Sequence, residues 1–518
     1  NNDRALIVGS TTFGKGTVQS IYELPLEAAI KITVGQYYTP GDRSIQSVGI
    51  TPDIELLPVK VHPDQLDTIE NILTFEKDLE KHLAREALTL EQPTHRLRFL
   101  DTVTATEEET QEYKTRLDLE GDTAASLALE LMDVLTSGSR PAMLKEAAPL
   151  LAQKQKSEES RMTAAFEKLG VDWQEGKPEG SPQAQLSYDL LKNGKKTGRA
   201  LAGEEITLRI QVKNVGDGPF WRLAAQTDSE IFTFKNFEFA FGKVAPRETK
   251  SWEHTLKIPK VHPAEEAGLN LQFKEGYGHA PPPVEILLPV AGLPSPRFAH
   301  QFSLEPGAFE KLGGGAAVHL EVTVANEGEG TSAQPVVAIK NLGGREVFIE
   351  KGREVLKELR PGKKETARFR FHLDPEATAG ELRFELSITD ADLFVQSTQE
   401  IVLRLAEQKT EPAAGQWFHP PTITLARKTG QVASESYSLQ GEARDDQNIR
   451  DVYIFVGDEK TFYEANAGAS PELKFKAPLT LKQGNNMILI TARDNQNLTA
   501  THRQVIRFEP EIVQKGAL

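Results

Sequence analysis

Ile206-Thr207-Leu208-Arg209-Ile210-Gln211-Val212 alternates apolar and polar residues with a period of two. Successive side chains of a strand point to opposite faces, so the pattern predicts a strand buried on one side only. It runs into Lys213-Asn214-Val215-Gly216-Asp217-Gly218, which is turn chemistry. The same order returns further along. Val318-His319-Leu320-Glu321-Val322-Thr323-Val324 leads into Ala325-Asn326-Glu327-Gly328-Glu329-Gly330. Each copy is followed by a matching turn, Val244-Ala245-Pro246-Arg247-Glu248 in the first and Leu359-Arg360-Pro361-Gly362-Lys363 in the second. A repeat of about 100 residues built from short strands and turns predicts two homologous β-sandwiches, over 185–292 and 296–406. A third is expected over 415–510. There Tyr437 to Ala443, Ile449 to Val456 and Asn486 to Asp494 read as strands, with a hairpin-like turn at Gln483-Gly484-Asn485.

Upstream the texture differs. Residues 1–61 read as strands and tight turns: a buried strand at Arg4-Ala5-Leu6-Ile7-Val8-Gly9, a half-buried one at Ala29-Ile30-Lys31-Ile32-Thr33-Val34, and a turn at Thr39-Pro40-Gly41-Asp42. Residues 62–173 read as mainly helical. Asp122 or Thr123 can cap a helix whose Leu127, Leu131, Val134 and Leu135 share a face. A second helix is expected from Pro141 to Leu169, solvated or broken in its polar middle, Gln153 to Arg161. Residues 174–184, rich in Gly, Pro and Glu, read as a linker.

The formal net charge of −15 over 518 residues excludes a broadly basic nucleic-acid-binding face, so no nucleic-acid partner is expected. The absence of cysteine excludes disulfides and thiolate chemistry. The histidines show no HExxH-type spacing, and no metal or other cofactor is expected. No apolar run reaches the length of a membrane-spanning helix. The chain opens on Asn1-Asn2-Asp3-Arg4 with no Met, which reads as a fragment of a longer protein.

The stretch richest in chemistry is Gly9-Ser10-Thr11-Thr12-Phe13-Gly14-Lys15-Gly16-Thr17-Val18-Gln19. Glycines let the backbone turn tightly, and a lysine desolvated there loses its proton more readily and becomes usable as a base. Gly9, Gly14 and Lys15 also satisfy the phosphate-loop spacing. Gly16, however, stands where Ser or Thr should reach Mg²⁺, and the residues after it read as strand. A plain surface turn is the remaining alternative. The flanking sequence separates the three. Thr12 to Gln19, Lys31-Ile32-Thr33, Tyr37-Tyr38-Thr39-Pro40-Gly41, Arg43-Ser44-Ile45-Gln46 and Gly49-Ile50-Thr51-Pro52-Asp53 together resemble the catalytic-lysine region of the carboxyl-terminal processing (tail-specific) serine peptidases. The resemblance implies part of an α/β protease domain over 1–61, with Lys15 as general base to a serine nucleophile and Gln19 orienting it. In the family the serine stands well before the lysine, and too few residues precede Lys15 to hold it. The nucleophile is therefore expected outside this chain, and the chain alone is expected to be inactive.

The asparagine–glycine loops of the repeats resemble those of bacterial Ig-like adhesion modules, as does Glu442-Ala443-Arg444-Asp445 with Ile449-Arg450-Asp451-Val452. The expected fold class is thus multidomain and mostly β: a partial α/β protease domain, a helical segment and three Ig-like β-sandwiches. The expected function is a serine-type endopeptidase acting on protein or peptide substrates. Its Ig-like modules would bind substrates or protein partners, and the resemblance implies a periplasmic or extracellular location. A non-catalytic scaffold carrying an inactive protease remnant is the competing class. Asp445-Asp446 with Asp494 would suit Ca²⁺, but such acidic turns are common between strands and the turn reading is preferred. Trp173, Trp221, Trp252 and Trp417 read as core or edge anchors.

Overall fold

The structure, a computed structural model, describes residues 3–24, 28–39, 43–62, 65–69, 76, 92–101, 122–229, 231–262, 265–305, 308, 312, 315–344, 346–374, 381–404, 416–426 and 430–510. It is mostly β and multidomain. Its contacts divide it into two compact units. The first comprises Asn1–Asp189, Thr207–Thr255 and Leu269–Ile286, and the second Leu190–Ile206, Leu256–Gly268 and Leu287–Leu518.

In the first unit, β1 (Val8–Gly9) pairs in parallel with β6 (Ile54–His62). β2 (Thr17–Leu24) and β3 (Ala28–Gln36) form a two-stranded ribbon, and β4 (Tyr38–Thr39) pairs with β5 (Arg43–Ser44). Two sequence expectations change here. The strand expected over Arg4–Gly9 is only Val8–Gly9, with Ile7 half exposed and Leu6 and Val8 turned toward the core. On β3, Ile30, Ile32 and Val34 are exposed although the alternation predicts burial. Its only paired strand among the described residues is β2, and on this ribbon these side chains stay exposed. The turn expected at residues 40–42 lies outside the described residues.

The region read as mainly helical also carries strands. β7 (Gln65–Asp67) pairs with β6 antiparallel, and β8 (His95–Leu100) pairs with β6 in parallel. Arg96-Leu97-Arg98-Phe99 alternates charge and apolar bulk, which suits an edge strand with one face on a core. Most of 70–121 lies outside the described residues. Helix α1 (Thr123–Val134) starts where Asp122 accepts from Ala124 N and Ala125 N at 2.9 and 3.0 Å. Leu127 and Leu131 are buried and Leu135 packs beside them, whereas Val134, in the last turn, is 41% exposed.

Helix α2 (Arg140–Lys168) passes unbroken through its polar middle. Gln155 Oε1 accepts from Arg98 N at 3.1 Å, and Glu158 Oε2 accepts from Leu100 N at 2.9 Å. The polar residues thus satisfy edge amides of β8 instead of facing only water.

The segment that reads as a linker is pinned to the first sandwich. Trp221 Nε1 donates to Lys177 O, and Gly176 lies so close to the Trp221 ring that a Cβ would collide with it. Trp173 stacks on Phe166 of α2 at 4.1 Å. The carboxylate of Glu238, buried in the sandwich, accepts from Thr68 N, Thr68 Oγ1 and Ile69 N at 2.7, 2.7 and 2.9 Å.

The second and third repeats each place two sheets around one core. The first sandwich has a sheet of four strands and one of five. Its strand Glu205–Asn214 buries Ile206, Leu208, Ile210 and Val212, as the alternation predicts. The second has two four-stranded sheets, with Val318, Leu320, Val322 and Val324 sharing one core with Phe369 and Phe371 of the same sheet and Phe384 of the other. The third has sheets of three and five strands around Val452, Ile454, Phe475 and Ile490.

The repeated asparagines are buried plugs rather than surface turn residues. Asn214 Nδ2 donates to Gly218 O and Val244 O at 2.8 and 2.9 Å, and its Oδ1 accepts from Gly216 N and Gln183 N at 3.0 and 3.3 Å. Asn326 makes the same four bonds, to Gly330 O, Leu359 O, Gly328 N and Arg297 N.

In the third sandwich Asp494 closes the turn that follows its strand, accepting from Leu498 N and Gln496 N at 2.7 and 2.9 Å. Burial, opposed by these amides and reinforced by Asp445 and Asp446, raises its carboxyl to about 6. The folded state therefore binds more protons than the unfolded one between about pH 4 and 6, and stability falls as pH rises through that window. Asp494→Asn keeps the acceptor oxygen and removes the charge. The variant is expected to be more stable than the parent at pH 7.5 by roughly 2 kcal/mol and no different at pH 4. Calorimetry of the third sandwich's transition at both pH values checks this, and parallel pH profiles for the two proteins would refute it.

Candidate active site around Lys15

Lys15 sits in the turn between β1 and β2. Gly14 has φ +89° and Gly49 φ +69°, both in the left-handed region open to glycine. A Cβ on Gly14 would stand 3.0 Å from Gly49 N, and one on Gly49 would collide with the Thr12 carbonyl. The two glycines therefore allow two backbone segments to lie against each other. Ser47 N donates to Gly14 O at 2.7 Å, Thr12 N to Ile50 O at 3.2 Å, and Ile50 N to Thr12 Oγ1 at 2.8 Å. Tyr37 clamps the lysine's own backbone, its Oη donating to Lys15 O at 2.7 Å and its N to Gly16 O at 3.0 Å.

The ammonium does not stand alone. Lys15 Nζ lies 3.3 Å from Glu76 Oε1. That oxygen also accepts from Gln46 Nε2 at 3.3 Å, while Gln46 Oε1 accepts from Gly16 N at 2.8 Å. Gln46 and Glu76 are 3% and 6% exposed, whereas the Lys15 side chain is 40% exposed. Lys15 is thus part-solvated and faces a buried carboxylate. Gln19 lies on β2, its Nε2 3.4 Å from Thr33 Oγ1, and no hydrogen bond joins it to Lys15 among the described residues. Ser10 Oγ donates to Leu56 O at 3.0 Å. A strand, not a helix, comes after Gly16, so no helix N-terminus is present to cradle a phosphate. Among the described residues, no group of three or more His, Asp or Glu side chains is arranged to hold a metal.

Asp53, the last residue of the family-like stretch, has a structural role. It accepts from Ile7 N at 2.8 Å and from Arg140 Nε at 2.6 Å, joining β1 to the start of α2. Gln46 and Glu76 escape sequence reasoning. Gln46 stands inside the motif with no visible role, and Glu76 lies far from it in the chain.

Residues 1–56 match the family model Peptidase family S41. That segment belongs to peptidase family S41. The chain is similar to a carboxyl-terminal-processing protease of Picosynechococcus, 39% identical over 92 residues, 18% of this chain and 20% of that protein. A carboxy-terminal-processing protease of Bartonella bacilliformis is 53% identical over 51 residues, 10% and 12% of the two chains. The chloroplastic carboxyl-terminal-processing peptidase 1 of Arabidopsis thaliana is 43% identical over 58 residues, 11% and 12%. The chain thus spans a fifth or less of these relatives' length. Among solved structures, fibronectin(III)-like modules of Clostridium thermocellum CbhA overlap 42% of this chain and 99% of their own at 14% identity, with a TM-score of 0.17.

Proposed function

We propose that this chain carries the lysine-bearing part of a serine-type endopeptidase that processes proteins near their C-termini. Lys15 is its general base, and the nucleophilic serine comes from outside the described residues. The observation that carries the reading is a lysine held between Gly14 and Gly16 by the clasped backbones of an S41 segment. A base must stand within hydrogen-bond reach of the hydroxyl it deprotonates, and a rigid turn serves that need. In this reading Gln19 orients the lysine, and the three sandwiches are Ig-like modules that receive substrates or partner proteins. The protein works in the periplasm or outside the cell.

One observation favours a second reading, a non-catalytic envelope scaffold: Lys15 Nζ is already engaged in an ion pair with the Glu76 carboxylate at 3.3 Å. The experiment that separates the two is digestion of an unfolded protein by the product of the complete gene, with and without Lys15. Cleavage by the parent that the variant lacks supports the peptidase. Intact substrate with both, in proteins that fold, leaves the scaffold.

A further inference from the structure

We propose that the cavity between the Asn326 loop of the second sandwich and the segment 416–420 binds the free carboxyl terminus of a protein chain whose last residue is apolar. The cavity measures about 390 Å³, within the range of small-ligand sites, and Asn326, Glu327, Gly328, Lys364, Trp417 and His419 help to line it. Both walls belong to the second compact unit. The binding claim stands by itself; its use, to present a substrate tail, rests on the peptidase reading.

The wall at 416–420 is fixed in place. Phe418 N donates to His300 O at 2.7 Å, and His300 N to Phe418 O at 3.0 Å. The Phe418 ring stacks on Phe302 at 5.4 Å. Side chains alternate along an extended chain, so Trp417 and His419 turn together to the other side, toward the loop. His419 Nδ1 lies 2.9 Å from Glu327 Oε1, and Arg297 Nη2 lies 3.0 Å from Glu327 Oε2. Glu327, the carboxylate of the cavity lining, is thus already matched.

Lys364 has no such match. Its Nζ stands 4.0 Å from the centroid of the Trp417 ring, and no carboxylate pairs with it among the described residues. An ammonium on an aromatic face keeps donors free on its outer side. Lys363, exposed beside it, adds a second positive charge. Asp445 interacts electrostatically with His419, so the positive excess lies at the Lys363–Lys364 end of the cavity. That end favours an anionic ligand.

The kind of anion follows from what the loop has left to give. Gly328 N is spent on Asn326 Oδ1, Gly362 N on Asn326 O and Glu327 N on Arg297 O. Arg297 is spent on Glu327 and on Pro420 O. A phosphate calls for a cluster of free amides or a free guanidinium fork, and the described residues of the cavity offer neither. A lone ammonium suits a carboxylate, and Trp417 beside it offers an apolar wall for the group that bears the carboxylate. The carboxyl terminus of a chain joins those two chemistries in one residue. Glu327 and Lys364 are exposed at the rim, where the rest of the chain can leave.

The probe is a short glycine–serine peptide ending in leucine, as the free acid and as the C-terminal amide. It is titrated calorimetrically into the full chain to about 5 mM, enough to see a site of millimolar affinity. The acid is expected to bind at least about tenfold more tightly than the amide. Lys364→Gln should bring the acid down to the amide's affinity while melting with the parent, and Trp417→Ala should weaken both peptides. Undetectable binding of the acid, equal affinity for acid and amide, or unchanged affinity in Lys364→Gln would overturn the site. Isocaproate has the same carboxylate and side chain but leaves part of the cavity empty, so it is expected to bind more weakly. Affinity equal to the peptide's would overturn a protein terminus as the ligand. Digestion of an unfolded protein by the complete gene product is scored beside this. Binding without cleavage in any form leaves the site standing and removes the peptidase reading, whereas cleavage without binding does the reverse.

Discussion

If Lys15 is the general base proposed above, Lys15→Arg is expected to lower kcat on an unfolded substrate by a factor of about 10²–10⁴, the range of one general base, with KM nearly unchanged. Arginine stays protonated and cannot serve as a base, yet it can still pair with Glu76. Lys15→Ala should lose as much activity but also some stability, because it leaves a buried carboxylate with Gln46 as its remaining partner. The arginine variant separates these effects, since it should melt with the parent. Digestion rates at several substrate concentrations, with calorimetry alongside, are the measurement. Parent-like kcat in Lys15→Arg would remove Lys15 from the chemistry.

Asn326→Ala is expected to destabilise the second sandwich by about 4 kcal/mol, at the upper end of what single substitutions do. The side chain is fully buried. Among the described residues, its loss leaves Gly330 O without a donor and Gly328 N and Arg297 N without an acceptor, and leaves Leu359 O with Ser332 N alone. Each orphaned buried group costs about 1–3 kcal/mol, partly relieved where water enters. Asn326→Asp should be no milder, since it sets carboxylate oxygen against two carbonyls. Calorimetric scans that resolve the sandwich's own transition test this, and a loss below about 1 kcal/mol would show that the plug is dispensable.

The sandwich strands are legible in sequence because burial of one face writes itself into alternation: Ile206 to Val212 and Val318 to Val324 can be read without tertiary knowledge. The same rule misleads at β3, where alternation is present but Ile30, Ile32 and Val34 are exposed. Polarity misleads at the middle of α2. Gln155 and Glu158 are polar because a strand edge needs acceptors, and sequence does not say which partner a polar side chain meets. Asn214 and Asn326 are visible as a repeat, but their loops read as surface turn chemistry, whereas the fold makes them interior ties. At the candidate site, Lys15 is legible because the S41 pattern is local. Glu76 is not, since it meets the lysine across a separation of 61 residues and carries no motif of its own.

The Glu238 clamp on Thr68 and Ile69 has a consequence in time. Its two ends are 170 residues apart in the chain. A ribosome adding about 5–20 residues per second needs roughly 10–30 s to supply the second end after the first. Through that interval the amide groups of residues 68–69 and the apolar side of Leu66 wait without their final cover. Residues 66–69 therefore reach their final packing only once the strand that carries Glu238 has been made, so their completion is scheduled by the first sandwich rather than by their own sequence.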